Sequence, residues 1–369
     1  MKNTNTVKTT SRFKRTVAAS LAAVMMMTTA ATISASADTQ AAVSMNTNSA
    51  QPRIVREQYL GHDITPGSFT REGTTINFKY SDGFFETDPK MYNPHMATTS
   101  AEMTKASVNY ATSKGNYTNA ADCIKSVLKQ EGFGDVFISD SYTKKPTTDS
   151  IACAIGKKEI TLNNKKTKTV VSVTVRSGSY EQEWASNVKL GKSGEAEGFA
   201  EAANKVTGCI EDYIRNNKLE ADAAQGKVVF WVQGFSRGAA ASNLTAKRLI
   251  DKYESSTVYA YCFAAPQGGV SSAERKDRDY TCIHNVVNID DIVTYVAPTA
   301  MGFKRYGVDH FLNDETFDST KLRKDNYYKN NISDNDGYAK VTTQRLELVR
   351  KFVTKIEGSA KADHMPYSI

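Results

Sequence analysis

The stretch KVVFWVQGFSRGAAASNLTAKRL, Lys227–Leu249, decides the reading of this chain. Val228 to Val232 is a continuous apolar run, the pattern of a strand buried on both faces. From Ala239 to Tyr253 the spacing is helical. Between them stands Gly234-Phe235-Ser236-Arg237-Gly238, a GxSxG pattern at the junction of an entering strand and a leaving helix. The glycines remove the side chains that would collide in so sharp a turn. That lifts the serine hydroxyl above the carboxyl edge of a sheet, with the following N–H aimed at the same spot. A serine at such a junction also serves as an ordinary helix N-cap. The pattern therefore gains meaning only if the rest of the chain supplies partners for a nucleophile.

The elements on either side fit a strand-and-helix alternation. Upstream, Thr75 to Tyr80 alternates as a strand, Thr99–Ser113 and Asn119–Gln130 read as helices, and Asp135–Ser139 and Ile151–Gly156 are short apolar runs. A lysine-rich turn then joins the two arms of GKKEITLNNKKTKTVVSVTV, read as a β-ribbon with a solvated turn. Glu195–Asn217 has helical periodicity, and strands are expected at Val258–Phe263 and Ile283–Ile289. This alternation predicts an α/β fold with a mostly parallel central sheet and helices on both faces. Residues 301–340 are polar, aromatic-rich and long for a connection, which marks a candidate cap insertion, and a last helix is expected over Thr343–Ile356.

The N-terminus has a different character. A basic stretch, an apolar run from Val17 to Ala30 and the small residues Ala35-Ser36-Ala37 read as a secretory signal peptide, residues 1–37. Residues 38–55 read as a flexible leader, and 56–369 as one domain. Five of the 47 basic residues and none of the 40 acidic ones lie in the signal, so the exported chain carries 42 basic residues and a net charge of only +2. That balance gives no reason to invoke nucleic acid or an anionic membrane as partner, and no later segment is apolar enough to span a bilayer. Cys123, Cys153, Cys209, Cys262 and Cys282 show neither a disulfide framework nor a metal-binding spacing; Cys262 and Cys282 read as buried free thiols. Asp334-Asn335-Asp336-Gly337 lacks the closing Glu of a calcium loop and reads as a solvated turn, so no metal or cofactor is expected.

A serine hydroxyl becomes a useful nucleophile when an imidazole accepts its proton and a carboxylate orients that imidazole. For a serine on this kind of bend, the partners follow in the order acid, then histidine. His62 and His95 precede Ser236, which leaves His284, His310 and His364. His284 opens a strand and reads as core. Asp290 and Asp291 stand at the exit of that strand in HNVVNIDDIVTYVAP, where a carboxylate reaches the catalytic edge of an open sheet.

Several segments together resemble the fungal-type, class three lipase family. VTVRSGSYEQEW (Val173–Trp184), the Gly-Phe start of GFAEAANKV, GFSRG itself, CFAAPQGG (Cys262–Gly269), NIDDIVTYVAP and His364-Met365-Pro366-Tyr367 each match a family pattern, over some 200 residues from Thr169 onward. The resemblance implies an α/β-hydrolase fold and a secreted ester hydrolase acting on an ester or lipid substrate. It assigns the acid to Asp291, counted from Asn288, and the base to His364, with His310 the second choice. Oxyanion donors are implied at the Arg237 N–H and at Gly178 or Ser179, and Phe235, Tyr180 and Trp184 are implied to line the acyl pocket. Phe235 replaces the family's usual histidine, and Arg237 an aliphatic residue. GFSRGA also resembles a bacterial secreted phospholipase-like family, so the bend alone does not choose the substrate. Ala185–Glu197, where family members carry an apolar lid, is polar here. A soluble ester, or a lipid gated by residues 301–340, is therefore expected over a fat droplet. The alternative is a non-catalytic extracellular binding module on a hydrolase scaffold.

Overall fold

The computed structural model describes residues 59–71, 74–108, 120–144, 147, 150–176, 194–270, 277–287, 292–297 and 302–311. The hairpin β1 (Thr65–Arg71) and β2 (Thr74–Tyr80) comes first, then helices α1 (Pro94–Ala106) and α2 (Ala120–Gln130). Next are β3 (Gly134–Ile138), β4 (Cys153–Thr161), β5 (Thr167–Val175), α3 (Glu197–Asn216) and the short α4 (Glu220–Ala224). They are followed by β6 (Val228–Phe235), α5 (Arg237–Tyr253), β7 (Val258–Phe263), β8 (Gly269–Val270), β9 (Ile283–Val287), β10 (Phe303–Lys304) and β11 (Val308–Phe311). The signal, the leader and the helix expected over 343–356 lie outside the described residues.

Among the described residues, seven strands form the central sheet in the order β11-β9-β7-β6-β5-β4-β3, the order of the chain itself. Only β4 runs against its neighbours; β5, β6, β7, β9 and β11 are parallel. Parallel strands laid down in sequence by right-handed crossovers place every crossover helix on one face. Accordingly α3 and α5 pack together on one side, against Val228, Phe230 and Val232 of β6. The opposite face is covered by the N-terminal elements: Tyr80, Phe84, Phe85, Met96, Met103, Ile124 and Phe133 gather around Val229 and Trp231. Burial on both faces is what makes the β6 run continuously apolar. Trp231 is fully buried, meets Tyr80, Phe85 and Phe133 ring to ring, and donates its indole N–H to Ser100 Oγ at 2.9 Å. Truncating a ring so enclosed costs about 3–5 kcal/mol.

Several elements depart from the sequence expectations for local reasons. Helix α1 begins at Pro94, not Thr99. Asn93 caps it, accepting from the N–H groups of His95 and Met96 at 3.0 and 3.1 Å, and Pro94 occupies the first turn, where a missing N–H costs nothing. Strand β6 continues past Val232 to Phe235, because the polar Gln233 is buried and donates to Ser172 Oγ and Thr174 Oγ1 on β5. The start of the stretch read as a cap insertion is made of strands: β10 pairs with β8 in a separate two-stranded sheet, and β11 adds a parallel edge strand to the central sheet beside β9. Residues 312–340 lie outside the described residues. Cys262 and Cys282 are buried free thiols as expected, and burial pushes the Cys282 thiol up to about 12.

Candidate active site

Strand β6 delivers Ser236 to the carboxyl edge of the sheet, and α5 begins at the next residue. Ser236 has φ +58° and ψ −126°, a backbone conformation that costs an L-residue about 1–3 kcal/mol and persists only where its surroundings impose it. They do so here. The Ser236 N–H donates to Phe263 O at the end of β7 at 2.9 Å, and its carbonyl accepts from the Ala240 N–H at 3.0 Å to open the helix. A Cβ on Gly234 would collide with Gly238 O and come within 2.5 Å of Ser242 Oγ; one on Gly238 would lie 2.6 Å from Arg176 O and 2.7 Å from Val175 O. Both glycines are thus required by close backbone approach between β5, β6 and α5. Although Ser236 occupies the N-cap position, its side chain makes no cap hydrogen bond, so the ordinary N-cap role does not account for it.

Arg237 is the first residue of α5, and its N–H is among those a helix does not satisfy internally, at its positive end. Where an aliphatic residue is usual, the guanidinium is buried and donates from Nη1 to Ser150 O at 2.6 Å. Arg176, at the end of β5, is equally buried, donating to Ser141 O at 3.2 Å beside the Tyr142 ring. Two arginines therefore tie Ser141 and Ser150 to the rim on which the serine stands. Phe235 ends β6 in register with Phe263 and is half-buried at this rim. Val175 lies opposite Gly234, so the chain enters the segment holding Gly178, Ser179, Tyr180 and Trp184 directly beside the bend. Those four residues lie outside the described residues, as do Asp290, Asp291 and His364.

His310, the second choice for the base, is committed elsewhere. It sits on β11, with β9 and β7 between it and the serine-bearing strand, roughly 14 Å away at the usual strand spacing. Its Nε2 lies 3.1 Å from His284 Nδ1, and its ring stacks on Tyr92 at 4.2 Å. His284 Nε2 lies 3.0 Å from Pro89 O, which can only accept, so the proton of neutral His284 is on Nε2 and His310 Nε2–H donates to His284 Nδ1. Burial holds the His284 imidazole down at about 4; burial and the neighbouring His284 hold His310 well below its usual value. The pair is interior, as the sequence suggested for His284.

A buried polar network below the rim was not anticipated from the sequence. Arg305 forms a bidentate pair with Asp309, Nε to Oδ1 at 3.1 Å and Nη2 to Oδ2 at 2.7 Å. Its Nη1 donates to Thr294 O at 2.7 Å and to Ala265 O at 3.0 Å. Asp309 Oδ1 also accepts from Asn285 Nδ2 at 3.0 Å, and Asn285 Oδ1 accepts from Asn243 Nδ2 of α5 at 2.9 Å. These partners are scattered along the chain, and only the four-residue spacing of Arg305 and Asp309 hinted at them.

Residues 161–301 match a family described as lipase (class 3). Solved structures of similar shape include a fungal lipase in complex with an inhibitor, at 15% identity over 60% of this chain and 79% of the other, TM-score 0.40. They also include the Rhizomucor miehei triacylglyceride lipase, at 17% identity over 60% and 80%, TM-score 0.39, and lipase II from Rhizopus niveus, at 15% over 51% and 70%, TM-score 0.35. Likeness so distant carries no weight for the chemistry. No curated protein matches the sequence. The family match runs from the last residue of β4, through the bend at Ser236, to the residue before the turn into β10, and over that stretch, less than half of its length, the chain is similar to the class 3 lipases.

Proposed function

We propose that the chain is a secreted serine ester hydrolase that works through an acyl-enzyme. Ser236 Oγ attacks the ester carbonyl as His364 takes its proton, with Asp291 holding the imidazole in the productive tautomer and stabilising its charge. The oxyanion of the tetrahedral intermediate meets the Arg237 N–H and a second N–H from Gly178 or Ser179. Collapse expels the alcohol, protonated by the imidazolium; water, deprotonated by the same base, then attacks the acyl-serine and releases the acid. The observation that carries the reading is Ser236 itself, whose backbone is held in a strained conformation by two obligatory glycines while its side chain takes no part in capping. The commitment of His284 and His310 to each other supports His364 as the base. The polar segment Ala185–Glu197 supports a soluble ester, or a lipid gated by residues 301–340, as substrate.

The test uses the exported chain with p-nitrophenyl esters of graded acyl length and a fluorophosphonate probe. Turnover and labelling at Ser236 are expected, with Ser236→Ala losing on the order of 10⁶-fold in kcat. A folded protein that neither turns over any ester nor takes the label would leave a binding module on this scaffold.

A further inference from the structure

We propose that Arg305, held by Asp309, is a positioning residue that fixes the segment carrying the catalytic acid against the helix carrying the nucleophile. The inference rests on the triad reading above and adds to it a part outside the triad. Segment 288–291, which contains Asp291, lies in sequence between two anchored points. Before it, Asn285 of β9 accepts at Oδ1 from Asn243 Nδ2 and donates from its own Nδ2 to Asp309 Oδ1 and to Tyr306 O. After it, the carbonyl of Thr294, three residues past Asp291, accepts from Arg305 Nη1. The same nitrogen donates to Ala265 O, just past β7, the strand whose last carbonyl receives the Ser236 N–H. Asn243 lies five residues beyond Gly238 on α5; its Nδ2 donates to Tyr306 O at 2.8 Å, and its Oδ1 accepts from the Tyr306 N–H at 3.1 Å. One guanidinium thus joins the exits of two adjacent strands, and the amides around it join both to the helix that starts at the serine.

The chemistry of the groups favours this role over simple stabilisation. A buried ion pair contributes little net stability once desolvation is counted. Arg305 is only 6% exposed, yet it spends its fork on one carboxylate and two main-chain carbonyls, a planar geometry that lysine cannot reproduce. A triad carboxylate must be held to about 0.5 Å, and a loop achieves that only through supporting bonds of this kind.

The experiment compares Arg305→Lys, Asp309→Asn, Asp291→Asn and the double variant Arg305→Lys/Asp291→Asn by kcat, KM, the pH profile of kcat and thermal unfolding, with p-nitrophenyl butyrate as substrate. Val127→Ala, a buried truncation in α2 remote from the network, shows what destabilisation alone does. Arg305→Lys is expected to lower kcat about 10- to 100-fold with KM nearly unchanged, since misplacement of about 1 Å costs that much. The acid limb of its profile should move to lower pH, because a base that loses contact with its carboxylate becomes less basic. Asp291→Asn should lose about 10⁴-fold, and adding Arg305→Lys should take away nothing more, since both changes act on one unit. Asp309→Asn, nearly isosteric, should fall between wild type and Arg305→Lys, and it serves as the readout if the lysine variant does not fold. Full kcat and an unmoved profile in the folded Arg305 or Asp309 variant, beside an impaired Asp291→Asn, would overturn the positioning role and leave the triad standing. A loss matched by Val127→Ala at equal destabilisation would also overturn it. Full activity in Asp291→Asn would overturn the triad assignment and the positioning role together.

Discussion

Replacing Gly238 by alanine should destabilise the protein, against the usual effect of that change in a helix. In an open helical position Gly→Ala is worth up to about 1 kcal/mol of added stability. At Gly238 the new Cβ would stand 2.6 Å from Arg176 O and 2.7 Å from Val175 O, both main-chain atoms of the neighbouring strand end. Restoring ordinary contact requires α5 to move off β5 by roughly half an ångström, and overpacking of that kind costs about 1–3 kcal/mol. Net of propensity, Gly238→Ala should lose about 1–2 kcal/mol, or roughly 2–8 °C in Tm for a domain of this size. The shift acts on the residue two places after Ser236, so fluorophosphonate labelling should slow as well. Gly208 provides the comparison: it lies in the middle of α3 with nothing within 4 Å of a Cβ, and Gly208→Ala should raise stability by about 0.5–1 kcal/mol with labelling unchanged. Thermal unfolding of both variants beside wild type decides the matter. If Gly238→Ala gains stability as Gly208→Ala does, the bend is not held by close backbone approach and the argument built on it fails.

Ser236→Gly should abolish labelling yet raise stability by about 0.5–2 kcal/mol, since glycine adopts φ +58° without the strain, less the entropy it adds to the unfolded chain. Ser236→Ala keeps the strain and should unfold within about 0.5 kcal/mol of wild type, so urea unfolding of the two variants separates strain from lost chemistry. Acid should destabilise the fold through the His284–His310 pair. The unfolded chain protonates these rings near pH 6.5 while His284 stays neutral in the fold down to about pH 4, so stability is full above pH 6.5 and falls as pH drops toward 4. At pH 5 His284 alone accounts for a loss of about 2 kcal/mol. In His284→Gln/His310→Gln, the difference in unfolding free energy between pH 7.5 and pH 5 should shrink by at least that amount, and an unchanged difference would refute the assignment.

The elements that were legible in the sequence are those with long, regular patterns. Strand β7 falls at Val258–Phe263 as read, and α2 within one residue of its expected start, because their apolar periodicity is set by two-sided or one-sided burial. Short strands escape such reading: β8 and β10 are two residues each and β11 four, too brief for a period, and they exist because a neighbouring edge offers hydrogen bonds. Helix α5 starts at Arg237 and not at Ala239 because it springs directly from the bend, with no capping side chain to announce it. The candidate nucleophile was legible because its requirements are local, two glycines and a serine within five residues. The Arg305 network was not, because Asn243, Asn285, Thr294 and Asp309 are unremarkable polar residues until the sheet brings them together. The acid and base rest on the sequence resemblance, since Asp291 and His364 lie outside the described residues.

The division of the sheet's two coats bears on what counts as the smallest working piece of this molecule. The segment that matches the lipase family begins at residue 161, after β1, β2, α1, α2 and β3 have already been made. Excised alone, it would keep α3 and α5 but bare the flank where Val229, Trp231, Tyr259 and Tyr261 lie in a row. An exposed aromatic strip of that kind invites self-association more readily than catalysis. The elements from β1 to β3 are therefore an integral wall of this fold, and any trimmed version meant to retain the serine must begin no later than the hairpin at Thr65.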